Sequence, residues 1–569
     1  MSDAITDPEP DTPVSLRAPQ MVMRLDRMGS AFATRLSFMR VLLRRIKNEA
    51  WRFERRLFDI DARGVGTALY TLHGPQQSYT LVAFGHDLPA HMRSDRVIAT
   101  AWDATFTLFD GIPETADIER LRANIPLQEA GRVLASELSV SRANRSVRLF
   151  DHVVSSLAAG RQPDTTMVRD VGYLMRTTAV YGSGKLGAAD RATLVDRPEF
   201  QAPFQVEMMS VWLTRAFILD LVEHMASLQA PGTAVKLDPQ LRRSFGVGNS
   251  TGLGMAPFLV NHPLLLNNWI LARETALARV RSLEGATAAE ISAFASLLAR
   301  ALASAKLWKV EDAGYQQRIM RLQSDLTRLI GEYDTLISQS RRPWDSVHRW
   351  AEANLALDAQ EQVVALLIES HGTLVDDLAR TMAASEDEVF RIDGSISVLR
   401  MADILTDVYA DGLATDWHQP QSDARIWYYS LEKLEPRLGE RHEEPLEPYE
   451  QPLAPQRDAA RMYHDICKWD PKDTLAAFLL AHPQHRHMAR RAQIAATNPY
   501  CEIRDNTIAQ HMLPIDLLRC KLAFFGAAHF DPRSDRWIRI NMFQHAPFPH
   551  ELGDGDVEAD NWAYPGSSA

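Results

Sequence analysis

Hydrophobic spacing divides this chain into stretches of different period. Between residues 118 and 338 apolar side chains recur at helical intervals, and the pattern predicts helices over 146–159, 167–180, 205–228, 264–283, 287–307 and 310–338. The 287–307 segment is the most strongly marked, because alanine and leucine fill it and both favour helix intrinsically. Further helices are expected over 93–109, 345–383, 387–410 and 457–468, and near 472–481. Two short apolar and β-branched runs, 66–72 and 78–84, flank Gly74-Pro75-Gln76-Gln77 and predict a β-hairpin. One more strand is expected over 536–543.

The expected fold is therefore mainly α: a large helical body with minor β elements, namely the N-terminal hairpin and a C-terminal α+β portion. Residues 431–458 carry Pro436, Pro445, Pro448, Pro452 and Pro455 among many glutamates, which excludes a long regular element and predicts a linker or surface strap. The domain reading is a disordered tail over 1–16, a basic helix plus a small α+β segment over 17–125, the helical body over 126–430, the strap, and the α+β portion over 459–569.

Charge changes the picture in one place. The 569 residues carry a formal net charge of -11. Such a balance argues against a nucleic-acid partner, since phosphate binding asks for a basic surface. Residues 17–56 oppose it, with eleven Lys/Arg against three Asp/Glu, alongside Leu36, Met39, Leu42, Leu43, Ile46, Trp51 and Phe53. The expectation is a basic amphipathic helix packed on an acidic surface, within a homo-oligomer. Cys467, Cys501 and Cys520 are the three cysteines and form no CxxC pair, so neither a disulfide framework nor a cysteine-rich metal site is expected. The acidic, proline-bearing N-terminus lacks the basic start of a signal peptide. The longest apolar candidate for a membrane span, 206–225, is broken by Glu207, Arg215, Asp220 and Glu223. No transmembrane segment and a cytoplasmic location are the resulting expectations.

Two glycine-studded stretches carry the candidate chemistry. Residues 181–187 read YGSGKLG and residues 246–254 read GVGNSTGLG. Glycine admits close approach of the backbone, and exposed N–H groups followed by a helix make an anion cradle. Neither stretch fits a known nucleotide fingerprint. The first lacks the spacing and the hydroxyl of a Walker A loop, and the second has three residues rather than two between Gly248 and Gly252. Arg176, Tyr181, Ser183, Asn249, Ser250, Thr251 and Asn268 are the candidate substrate-binding residues. Lys185, Asn261 and His262 are the candidate catalytic ones: the lysine to hold an anion, His262 to move a proton near neutral pH, and Asn261 to orient an oxyanion.

No metal site is assigned. The histidine groups His482/His485/His487 and His86/His91 are left open, the first because Arg486, Arg490 and Arg491 follow it and would repel a cation. Cys501 beside Arg504 is a weaker nucleophile candidate. The functional expectation is an enzyme acting on a small carboxylate or phosphate by acid–base chemistry, of lyase, hydratase or isomerase type. The alternatives are a cofactor-dependent oxidoreductase and a non-catalytic helical scaffold; the sequence names no cofactor.

Overall fold

The structure is a computed structural model that describes residues 14–24, 34–89, 101–125, 134–182, 196–249, 263–310, 313–382, 390–417, 455–504 and 538–552, with short pieces elsewhere. Two compact units emerge, each discontinuous in sequence. One comprises residues 35–252, 524–533 and 537–569; the other comprises 1–34, 253–523 and 534–536.

The first unit is built on a nine-stranded mixed sheet. Its strands are β1 (Arg52–Ile60), β2 (Gly66–His73), β3 (Ser78–Gly85), β4 (Ala104–Asp110), β5 (Glu137–Arg145), β6 (Tyr173–Gly182), β7 (Gly246–Asn249), β8 (Phe530–Pro532) and β9 (Ile538–Met542). Their order is β1-β2-β3-β4-β5-β6-β7-β9-β8. Every pairing is antiparallel except that of β6 with β7. The expectation of a mainly α chain with minor β pieces is thus overturned. The hairpin 66–72/78–84 is present as β2 and β3, but it is one step in a substantial sheet.

The misread strands show why. Ala104–Asp110 alternates Thr105 and Thr107 with Phe106 and Leu108, a period of two that places threonines on one face and large apolar groups on the other. Over 167–180 a short helix, Thr165–Val171, gives way to β6. Gly172 ends that helix in the left-handed region, at φ 72°. A Cβ there would sit 2.1 Å from the Asn541 amide, so any other residue would strain the backbone and displace that side chain.

Both faces of the sheet are covered. Helices α1 (Phe38–Asn48), α2 (Thr115–Ala123), α3 (Phe150–Ala158), α4 (Thr165–Val171), α5 (Gln205–Gln229) and α6 (Pro239–Arg243) belong to this unit. α5 is buried almost all round, as a central core helix must be. Its Phe217 meets Phe106 and Tyr70 edge-on. On the opposite face Leu121 of α2 closes a smaller cluster of Leu69, Val82, Phe84 and Phe109. The fully buried Arg215 of α5 donates to the carbonyls of Phe245 (2.6 Å), Ala546 (2.7 Å) and Arg243 (3.0 Å). This tie holds the C-terminal segment after β9 to the helix.

The second unit is helical. It contains α7 (Pro263–Arg281), α8 (Ala288–Leu307), α9 (Ala313–Ser338), α10 (Pro343–Asn354), α11 (Leu357–Glu369), α12 (Val398–Ala414), α13 (Pro455–Ile466), α14 (Leu475–Ala481) and α15 (Arg486–Thr497). α8 starts on a capping box of Thr287 and Glu290, and turns Phe294, Leu298, Ala301, Leu302 and Ala305 inward. It is the one helix among the described residues that is long and apolar enough to cross a membrane. The helix expected over 345–383 is broken. Leu355 is extended, and Asp325 Oδ2 accepts the Ala356 N–H at 2.7 Å, which starts α11 afresh. A separate core of Met401, Leu405, Met462, Leu475, Phe478, Met488 and their neighbours joins α12 to α15.

The basic segment 17–56 is not one helix. It divides into a short turn of helix at Pro19–Val22, the helix α1 and the first five residues of β1, and its two ends belong to different units. Of the apolar residues expected to bury, Leu36, Met39, Leu42, Leu43, Ile46 and Trp51 lie in the core, whereas Phe53 on β1 is only half-buried.

Candidate functional site

The two glycine-rich stretches begin on neighbouring strands. β6 ends at Tyr181 and Gly182, and β7 is Gly246–Asn249. They are the parallel pair of the sheet, with Arg176 opposite Gly248 and Thr177 opposite Asn249. Their C-terminal ends therefore point the same way. β6 runs on past the Asn249 level to Gly182, roughly 16 Å at the usual rise per residue.

Close packing explains two of the glycines. A Cβ on Gly248 would lie 2.7 Å from the ring of Tyr173, and one on Gly246 would lie 2.7 Å from the Met542 carbonyl oxygen. β7 is held between β6 and β9 with no room for side chains at these positions. Residues 246–249 are thus strand rather than cradle, and the part of the motif that remains for a ligand starts after Asn249. Thr177, fully buried, donates its hydroxyl to the Gly248 carbonyl at 3.3 Å and fixes the register from the side.

The candidate residues fall as follows. Arg176 is half-buried on β6; Tyr181 lies further along that strand, opposite Val140 of β5. Asn249 closes β7, between Thr177 of β6 and Ile540 of β9. Asn268 sits in the first turns of α7, beside Asn267, and belongs to the helical unit. Ser183, Lys185, Ser250, Thr251, Asn261 and His262 lie outside the described residues.

The helical unit holds a second polar centre, a buried ion network. Arg17 donates to both oxygens of Glu274 and, at 2.7 Å, to Glu361. Arg273 also pairs with Glu361, and Arg27 reaches it at 3.3 Å. Burial would push the Glu361 carboxyl up, but the charges of Arg17 and Arg273 win and hold it down to about 2. Tyr500 donates its hydroxyl to the Arg17 carbonyl at 2.7 Å. His348 is nearby in charge terms: burial, with Arg281 and Arg17 adding to it against the opposing pull of Glu361, drives its imidazole well below the ordinary range. Each half of the network is remote in sequence from the other, so no spacing rule finds it.

The histidine groups resolve differently. His86 hydrogen-bonds Thr105 at 2.9 Å, and Asp87 pairs with Arg63. Among the described residues the structure brings together Asp465, His482 and His485, and not His487, whose imidazole is pushed down by burial and by the charges of Arg491 and Arg490. Cys501 is buried among apolar residues, and Arg504 spends its guanidinium on the Asp407 and Val408 carbonyls, so the nucleophile reading of that cysteine is not supported.

Comparison with protein-family models, with curated proteins and with solved structures gives no match.

Proposed function

We propose that the chain is an enzyme whose sheet unit binds a small organic anion, a carboxylate or a phosphate, on the side of the sheet toward which β6 and β7 both run. The observation that supports this is the parallel pairing of those two strands. In sheets with parallel neighbours, ligands gather beyond the carboxyl ends of the strands, because connecting segments leave there and expose backbone N–H groups. Here both glycine-rich stretches continue from that same side of the pair. Arg176 lies within the pair, and Ser183, Lys185, Ser250 and Thr251 follow it in sequence. The acid–base half of the proposal, a lyase, hydratase or isomerase reaction, rests on the sequence around Asn261 and His262.

The test is a thermal-shift panel of dicarboxylates, hydroxy acids, phosphate and sugar phosphates on the full-length protein, repeated with Lys185→Ala and Ser183→Ala. The reading expects one anion class to raise Tm and both variants to lose that rise. No shift from any anion, or a shift untouched by both variants, overturns it. A shift with nicotinamide or flavin compounds alone favours the oxidoreductase alternative.

A further inference from the structure

The end of α13 and the turn joining α14 to α15 place three metal-ligand side chains around one point. Asp465 comes from the last turn of α13; His482 caps α14; His485 starts α15. One donor atom from each lies within 4.8 Å of the others. His485 Nε2 and Asp465 Oδ2 are 2.9 Å apart, a contact in which a metal ion can replace the shared proton.

From these residues we propose a divalent first-row metal site, of the zinc class, formed by Asp465, His482 and His485. The donor set suits it: two imidazoles and one carboxylate give net charge −1, and borderline N/O ligands of this kind favour zinc and its neighbours over magnesium or calcium. Three protein ligands leave a coordination position for water or a small anionic ligand.

The rings are set in place by apolar packing. Phe478 stacks on His482 at 4.9 Å between centroids and on His485 at 5.7 Å, with interplanar angles of 29° and 8°. Trp469 meets His482 edge-on. Pre-positioned ligands reduce the ordering that binding must otherwise impose.

Of the three arginines that follow, Arg486 is exposed and the other two have partners of their own. Arg491 makes a two-pronged pair with Glu502, and Arg490 donates to the Phe390 carbonyl. The cation that does compete is Lys468, 3.0 Å from Asp465 Oδ1. It takes the other carboxylate oxygen from the one facing His485, and its side chain is 58% exposed, so it can turn to water. Only Asp465 was beyond reach of sequence spacing, since it precedes the histidine pair by a whole helix.

The experiment is titration of Zn²⁺ alone into chelator-treated full-length protein by calorimetry, with metal content after dialysis read by mass spectrometry. Asp465→Asn and His482→Ala are the variants; both residues are partly exposed, and circular dichroism checks that each variant keeps its fold. The proposal expects one zinc per chain, with affinity about tenfold weaker or worse in each variant. Cobalt substitution gives a second readout, an intense visible absorption of a low-coordinate nitrogen–oxygen site that His482→Ala abolishes. No stoichiometric uptake by the parent protein, or uptake unchanged in both variants, overturns it. Because the readout is metal and not turnover, this outcome is independent of the anion-binding test.

Discussion

Arg17 grips Glu274 through two N–H···O bonds of 2.8 Å, from Nε and Nη2, across 257 positions of sequence. A third bond to Glu361 uses the remaining Nη. This forked, fully buried arrangement is one that only arginine can make. Arg17→Met should destabilise the helical unit by about 3–5 kcal/mol, because it leaves a buried carboxylate without its principal partner. Denaturant unfolding measures the loss. Adding Glu274→Gln to Arg17→Met should recover part of it, and a double mutant no better than the single would show that lost packing, not stranded charge, dominates.

Acid sensitivity should come in two steps. His348 is held neutral by burial and by Arg281 and Arg17. Its folded pKa is depressed, so protonation favours the unfolded chain, and stability should fall as pH drops below about 6.5, the ordinary imidazole value. Glu361 has its pKa lowered to about 2 from 4.5. Its contribution is present above about 4.5 and is lost as pH falls from there toward about 2. Unfolding midpoints between pH 7 and 3 should show both slopes. His348→Asn should flatten the upper one and leave the lower, whereas an unchanged upper slope would rule out His348 as its source.

Gly248 and Tyr173 should be strongly coupled. The ring occupies the space a Cβ would need. Gly248→Ala is expected to cost about 1–3 kcal/mol through overpacking. Tyr173→Ala should absorb most of that cost, so a double-mutant cycle should give a non-zero interaction energy of opposite sign to the single losses. Strict additivity would mean the strand moves rather than the ring.

Arg215→Met should loosen the C-terminal segment. The Phe245 and Ala546 carbonyls lose this donor together, at about 1–3 kcal/mol for each buried group left unsatisfied, while the Arg243 carbonyl keeps the His545 N–H at 2.7 Å. The expected signature is cleavage after β9 by a protease that leaves the parent intact there. Arg215→Lys should behave like Arg215→Met, since an ammonium cannot reach three fixed acceptors in a plane; full rescue by lysine would show that charge alone is enough.

What the sequence disclosed was local. Long amphipathic helices such as α8 and α9 are legible because a single period persists for many residues. The β2–β3 hairpin is legible because its turn and alternation lie together. β4 alternates threonines with large apolar groups, but both its faces are buried and no charged face marks it as a half-exposed strand; β6 follows directly on α4, and β7 is only four residues long. The role of Gly246 and Gly248 was hidden too, because their constraint comes from Met542 and Tyr173, far along the chain. Lys185 and His262 stand out as chemistry-bearing residues in sequence, yet they fall outside the described residues, whereas Asp465 joined its histidines only through the packing of α13 against α15.

β9 completes the sheet beside β7, although some 290 residues of the helical unit and its flanks separate them in the chain. During synthesis the ribosome therefore releases β7 long before its partner exists. Until then the strand has an unfilled edge, a template for pairing with other chains. The protein's exposure to mispairing should thus be set by translation time rather than by final stability. Truncations near the C-terminus should aggregate even where the helical unit they leave behind is intact.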